Sequence, residues 1–356
     1  MKNQSHIVTE DIATIVAGIR SHADLFEGAT ILISGGAGFL GTYFLDMFRL
    51  LNKEVLKTPC RVISIDNYIT GSREDASEDS LGVTAIDSDI RTMPCIEGPV
   101  DYIIHAAGLA SPFYYKKYPL ETVDAAVIGA RNLLELAREK KPKSFLFFSS
   151  SEIYGDPDPH YVPTPETYRG NVSSVGPRAC YDESKRLTET LCMIYHERYG
   201  VPIKIVRPFN VYGPRMKVDD YRVMPMFIMS GRKSKILPVH GSGAQTRTFC
   251  YITDAIVGFL KVLLAGKNGE IYNIGNPAGE IGMKALAGLT AELLGGVVMV
   301  QCINYPDSYP PDEPQRRCPD ITKARMHLGY EPDVDLKTGL LRTILWHKEV
   351  FADEEL

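Results

Sequence analysis

Thr30-Ile31-Leu32-Ile33-Ser34-Gly35-Gly36-Ala37-Gly38-Phe39-Leu40-Gly41 is the stretch that decides the fold. Thr30–Ile33 is a short apolar run that reads as a buried strand, and a helical pattern continues after the glycines through Tyr43 to Leu51. The glycines at 35, 38 and 41 sit between the two. A side chain at those points would block the tight turn, the approach of a pyrophosphate to the backbone, or the packing of helix on strand. A glycine motif alone also serves as a plain structural turn, so the neighbouring segments carry the argument.

The second apolar strand, Arg61-Val62-Ile63-Ser64-Ile65, ends in Asp66. A carboxylate there accepts hydrogen bonds from both adenosine ribose hydroxyls and repels a ribose phosphate, and no Arg follows at Asn67 or Tyr68. The expected cofactor is therefore NAD rather than NADP. Its expected contacts are Gly35, Gly38, Phe39, Leu40, Gly41, Asp66, Asn67, Ala106 and Ala107, with Asp89 and Ile90 against the adenine. Asp89 reads almost as well as a surface loop aspartate.

Further strands at Val83–Ile86, Tyr102–His105 and Ser144–Phe148 alternate with helical patterns at Pro119–Lys140 and Asp182–Tyr199, and a helix over residues 7–26 leads the chain. Regular alternation of strand and helix predicts an α/β, Rossmann-type doubly wound parallel sheet. Continuous apolar strands agree, because such a sheet is covered on both faces. From Pro208 onward Gly and Pro become frequent, with short strands at Lys235–Val239 and Glu270–Ile274. The expected division is a dinucleotide-binding part over 1–208 and a smaller mixed α/β substrate-binding part over 209–356, with segments near 250–276 returning to the first.

Composition excludes several function classes. The chain of 356 residues is 44% hydrophobic and 23% charged, an ordinary globular balance. Its net charge is -5, without a Lys/Arg run of the kind that tracks a phosphate backbone, so nucleic acid is not an expected partner. No apolar stretch reaches the ~20 residues of a membrane helix, and no basic-then-apolar signal peptide leads the chain. The seven cysteines are scattered without C-x-x-C pairs and read as reduced thiols of a cytoplasmic protein.

Chemistry enters at Tyr181-Asp182-Glu183-Ser184-Lys185, which puts a phenol and an ammonium four residues apart, on one helical face if the helix has begun by Tyr181. A tyrosine of ordinary pKa near ~10 is a poor base at neutral pH, and a nearby cation stabilises its phenolate. Tyr181 can then take a hydroxyl proton while hydride leaves the same carbon. The pattern occurs by chance on many surface helices and gains its meaning from following a glycine-rich first turn. Ser149-Ser150-Ser151-Glu152 closes a strand at the sheet edge where ligands of doubly wound folds bind, although serines also simply end strands.

In this order the glycine turn, the serine-rich strand end and Tyr181/Lys185 resemble the extended short-chain dehydrogenase/reductase family of nucleotide-sugar enzymes over about residues 29–345. Within it the resemblance is to the UDP-glucuronate decarboxylases, through Ser150-Ser151-Glu152-Ile153-Tyr154-Gly155-Asp156-Pro157, Gly176-Pro177-Arg178-Ala179-Cys180-Tyr181-Asp182-Glu183, Gly213-Pro214-Arg215-Met216, the run from Gly241 to Phe249, and Pro314-Gln315-Arg316-Arg317. The resemblance implies Ser150, Tyr181 and Lys185 as the catalytic triad, Tyr181 and Lys185 also contacting the cofactor and Lys185 its ribose, with Ser151, Glu152 and Arg247 as further catalytic positions. It implies Arg247 as a substrate contact, and Asn210, Arg215, Gln245 and Arg316 as contacts to uracil, ribose or pyrophosphate, one of which would instead be a surface or interior residue. Arg suits a doubly charged phosphate pair.

Oxidation of carbon 4 of a glucuronate makes a ketone β to the carboxylate, and such acids lose carbon dioxide easily. The resemblance thus implies decarboxylation of UDP-glucuronate to UDP-xylose or the 4-keto pentose. Alternatives are a 4-epimerase, a 4,6-dehydratase, in which an Asp would stand at Ser151, or a module that binds NAD or nucleotide-sugar without turnover. Departures in the loop from His105 to Pro112 leave the uronic acid and the nucleotide open. The Pro119–Lys140 and Asp182–Tyr199 helices match those that pair across the family's dimer, so a homodimer is expected; their apolar stripes would also serve merely to cover the sheet.

Overall fold

The glycine turn emerges from the middle of a seven-stranded parallel sheet. A computed structural model describes residues 5–73, 81–217, 221–305 and 314–351. Strands β1 (Thr30–Ser34), β2 (Arg61–Asp66), β3 (Val83–Asp87), β4 (Tyr102–His105), β5 (Ser144–Phe148) and β6 (Ile203–Pro208) are joined by Glu270–Ile274, in the order Glu270–Ile274, β6, β5, β4, β1, β2, β3. Strand order therefore reverses between β1 and β4, which places a crevice at their carboxyl ends.

Both faces of the sheet are covered, which is why its strands read as unbroken apolar runs. Ile31, Ile33, Val62, Ile104, Leu146 and Phe148 pack in one core with the His6–Gly18, Phe39–Glu54 and Ile252–Ala265 helices. Leu32, Ile63, Ile103, Phe145, Phe147 and Ile205 face the other way, toward the Pro119–Lys140 and Ala179–Tyr199 helices, with Leu133, Leu134 and Cys192. The alternation follows from the two-residue period of a strand.

Sequence and structure differ in places. The leading helix ends at Gly18 and the chain continues as a 3₁₀ segment, Arg20–Phe26. The helix expected from Asp182 begins at Ala179, so Tyr181 is already inside its first turn. A six-residue helix, Pro112–Lys117, was not anticipated; Pro112 at its first position fixes φ suitably for a helix start. The strand expected at Lys235–Val239 is Ile236–His240, with Lys235 in the left-handed region at φ 59°.

Beyond β6 the chain forms the Val223–Lys233 and Met283–Leu294 helices, a parallel pair of Ile236–His240 with Met299–Ile303, and small ladders around Thr246–Arg247. The Leu336–Val350 helix packs on Met283–Leu294 and also reaches back to His6–Gly18. There the buried Asp11 carboxylate accepts hydrogen bonds from Tyr251 Oη at 2.8 Å and from Arg342 Nη2 at 2.8 Å.

Candidate active site

Gly35 takes φ +83°, and a Cβ there would stand 2.7 Å from the Ala107 nitrogen, so the turn can close against the end of β4 only without a side chain. At Gly41 a Cβ would fall 2.2 Å from the Gly35 oxygen, where helix meets turn. Gly38 differs: a Cβ would meet only the Gly35 oxygen, at 3.3 Å, so that side of the turn is open. It also caps the Phe39–Glu54 helix, whose first-turn N–H groups are an anion cradle. At the end of β2, Asp66 accepts hydrogen bonds from the Ala37 and Tyr68 amides at 2.9 and 2.8 Å, which fixes its carboxylate beside the turn. Burial pushes its pKa up while those amides oppose the shift. The open cradle, the fixed carboxylate and the adjoining Ala106–Ala107 backbone fit a dinucleotide.

Two expected adenine contacts are engaged elsewhere. The Asp89 carboxylate accepts hydrogen bonds from Arg91 Nε at 3.0 Å, Arg91 Nη2 at 2.8 Å and Asn67 Nδ2 at 3.0 Å, and the Arg91 bonds hold its pKa down to about 2. The Ile90 side chain is core, since a Cβ on Gly129 of the facing helix would lie 2.6 Å from it.

A cleft of about 610 Å³ opens from the turn along the carboxyl edge of the sheet, lined by Phe39, Leu40, Ala106, Ser150, Ser151, Glu152, Tyr181, Lys185, Asn210, Gln245 and Arg247. Asp66, Asn67, Asp89 and Ile90 lie outside this lining. In the cleft Tyr181 and Lys185 share one helical face, with the ammonium 5.8 Å from the phenol ring centre. Lys185 Nζ donates to the Phe148 oxygen at 2.8 Å, and the Tyr181 phenol is hydrogen-bonded to Ser150. The ring of Tyr115 stacks on Tyr181 at 5.5 Å and 18°.

The electrostatics depart from the simplest expectation. Burial pushes the Tyr181 phenol above its ordinary pKa, opposed by the Ser150 hydrogen bond. Burial also pulls Lys185 down to about 8. Desolvation thus outweighs the Ser150 hydrogen bond and the Arg222 and Arg178 charges that favour the phenolate, because a buried phenolate is itself costly.

Glu152 is held on two sides. Arg317 grips both of its carboxylate oxygens, with Nη2 to Oε2 at 2.9 Å, and Arg178 donates to Oε2. Neither arginine was singled out from the sequence as a site residue. Arg316 was, and it points away: its guanidinium pairs with Glu280 at 2.7 and 2.8 Å. Arg215, also expected at substrate, binds Asp46 at 2.6 Å over the Tyr43 ring and lies outside the cleft lining. Arg247 reaches the cleft while donating to the main-chain oxygens of Thr246, Pro314 and Gln315, so it orders the strand that carries Arg317. Asn210 Nδ2 bonds the Thr248 oxygen at 2.8 Å, and Gln245 donates to Tyr305 Oη.

The sequence profile of the NAD dependent epimerase/dehydratase family matches residues 31–275. The chain belongs to that family. Like the family it is an NAD-dependent enzyme, and the glycine turn with Asp66 is where this epimerase/dehydratase chain would hold the cofactor. UDP-glucuronic acid decarboxylase 5 of Arabidopsis thaliana is 43% identical over 87% of this chain and 86% of its own length. UDP-glucuronic acid decarboxylase 1 of Xenopus tropicalis is 38% identical over 90% and 72%. A dTDP-glucose 4,6-dehydratase from Streptomyces venezuelae, solved with NAD bound, superposes with a TM-score of 0.77 at 26% identity, covering 92% of this chain and 99% of its own.

Proposed function

We propose that the protein decarboxylates UDP-glucuronate through a 4-keto intermediate, giving UDP-xylose or the 4-keto pentose. The observation that carries this reading is Glu152, fixed by Arg178 and Arg317 on the cleft wall beside the Ser150–Tyr181 pair. The cluster of cationic side chains around one carboxylate suits a substrate that brings a carboxylate and a diphosphate. Relatives at 38–43% identity over about nine-tenths of the chain are UDP-glucuronic acid decarboxylases.

NAD held at the glycine turn and Asp66 would supply a hydride acceptor, and later donor, for carbon 4. Tyr181 accepts the carbon 4 hydroxyl proton, with Ser150 orienting that oxygen and Lys185 supplying positive charge behind it. The bond from carbon 5 to the carboxylate then breaks; its electron pair enters the ketone as an enolate while carbon dioxide leaves. Donation from Tyr181 and Ser150 to the enolate oxygen lowers that barrier. Glu152, held by its arginines, governs proton delivery to carbon 5. Ser151 lacks the carboxylic acid with which a dehydratase would expel a hydroxyl.

The test is incubation of pure protein with UDP-glucuronate. Carbon dioxide and a UDP-pentose mass support the reading; UDP-galacturonate without gas overturns it in favour of an epimerase.

The same reading includes a cytoplasmic homodimer. Its support is the set of exposed apolar side chains on the Pro119–Lys140 and Ala179–Tyr199 helices, namely Leu120, Ile128, Leu187 and Ile194. Among the described residues no helix is long and apolar enough to cross a membrane, and the seven cysteines are unpaired.

A further inference from the structure

The reacting groups come from three separate segments: the Ala179–Tyr199 helix carries Tyr181 and Lys185, a 3₁₀ turn at Ser151–Tyr154 carries Glu152, and the Arg316–Arg317 strand carries Arg317. Covalent connection cannot fix their spacing. A chain of hydrogen bonds joins the first two and reaches the backbone three residues beyond the third, and Arg207 on β6 lies at its centre.

Arg207 is 5% exposed. Its Nε and Nη2 grip both carboxylate oxygens of Glu189 at 2.9 and 2.6 Å, one helical turn beyond Lys185. Its Nη1 donates to Tyr154 Oη at 2.7 Å, two residues after Glu152. Tyr154 Oη in turn donates to Asn273 Oδ1 at 2.7 Å, and Asn273 Nδ2 donates to the Asp320 oxygen at 3.1 Å, three residues after Arg317. A rigid fork that satisfies a carboxylate on one side and a phenol on the other leaves these segments little freedom to shift relative to one another.

We infer that Arg207 is a positioning residue, whose guanidinium sets the distance between the Tyr181/Lys185 helix and the Glu152 turn through Glu189 and Tyr154. The inference rests on the proposed decarboxylation for the role of Glu152. A mere filler of the core would need neither partner at a reacting segment; here both arms end within one turn of one.

Glu189 has a second effect. The Lys185 ammonium faces Tyr181, Cys192 and Glu189 from its own helix, His105 from β4, and the Phe147 ring and Phe148 oxygen from β5. Burial keeps the phenol and the thiol protonated and holds His105 neutral, with its pKa down to about 3. Glu189 is then the negative charge that favours the protonated lysine.

The experiment measures steady-state turnover of UDP-glucuronate, single-turnover NADH formation and melting curves for wild type, Arg207→Lys, Tyr154→Phe and Glu189→Gln. Arg207→Lys and Tyr154→Phe are expected to lose about tenfold or more in kcat with KM changed less than about threefold, since small misplacements cost that much in rate. Glu189→Gln should move the alkaline limb of the kcat profile downward by about half a unit or more. If Arg207→Lys does not fold, the two near-isosteric variants decide. Folded variants with kcat within about twofold of wild type, or an unmoved alkaline limb, overturn the inference. Wild type that releases no carbon dioxide sinks the decarboxylase reading instead, and the positioning role is then read from the rate of NADH formation alone.

Discussion

Glu152 and Arg317, 165 positions apart in sequence, meet as a two-point ion pair on the cleft wall. Arg317 is almost wholly buried, so the carboxylate holds a guanidinium that water cannot. Replacing Arg317 by Met leaves Glu152 with Arg178 alone and should cost about 1–3 kcal/mol of stability and at least ~100-fold in kcat. A melting curve and a carbon dioxide assay check both. Glu152→Gln should slow steps at carbon 5 more than oxidation at carbon 4, so NADH should accumulate; full-rate product formation would remove Glu152 from its role.

Tyr181→Phe keeps the ring stacked on Tyr115 and removes only the hydroxyl. Turnover should fall by about 10³-fold or more, while NAD affinity stays within about threefold, as read by calorimetry. An unchanged rate would exclude the phenol as base.

Activity and stability should respond to alkali with opposite signs. Lys185 and Lys204 have folded pKa values pulled down to about 8 by burial, from an ordinary 10.5. Above pH 8 the unfolded chain therefore binds more protons than the folded one, and this contribution to stability rises with pH. Below pH 8 both states are protonated and the cost of burying the charges is fully present. Above about pH 9 the buried thiols Cys192 and Cys250, whose pKa values burial pushes up, act in the other direction. From pH 8 to 9 the melting temperature should therefore rise in Lys204→Met less than in wild type, while kcat of wild type falls as Lys185 loses its proton.

Leu187 and Ile194 lie seven residues apart on one face of the Ala179–Tyr199 helix, 49% and 41% exposed. Leu187→Glu combined with Ile194→Glu should convert a dimer to a monomer on gel filtration with light scattering, with little change in the melting temperature of the monomer. Wild type that runs as a monomer would end the dimer proposal.

The sheet was legible because each strand is a local pattern: Tyr102–His105 and Ser144–Phe148 form with the bounds their apolar runs set. Tyr181 and Lys185 were legible for the same reason, since four positions on a helix always share a face. The arginines were not. Successive side chains of a strand point to opposite faces, so choosing Arg316 over Arg317 exchanges Glu280 for Glu152. Nothing in Gly213-Pro214-Arg215 announces that the guanidinium is claimed by Asp46, 169 positions earlier. Local spacing determines which groups share an element; the partner of a long cation is decided by tertiary packing.

Asp11 and Arg342 are 331 positions apart, yet they share a hydrogen bond of 2.8 Å beneath Tyr251. During synthesis the carboxylate leaves the ribosome long before its cation exists. The first helix can pack on the Phe39–Glu54 helix early, but its carboxylate stays without this cation until nearly all of the chain has emerged. Joining the two ends closes a very large loop, so this clasp forms late, after the sheet has drawn its strands together.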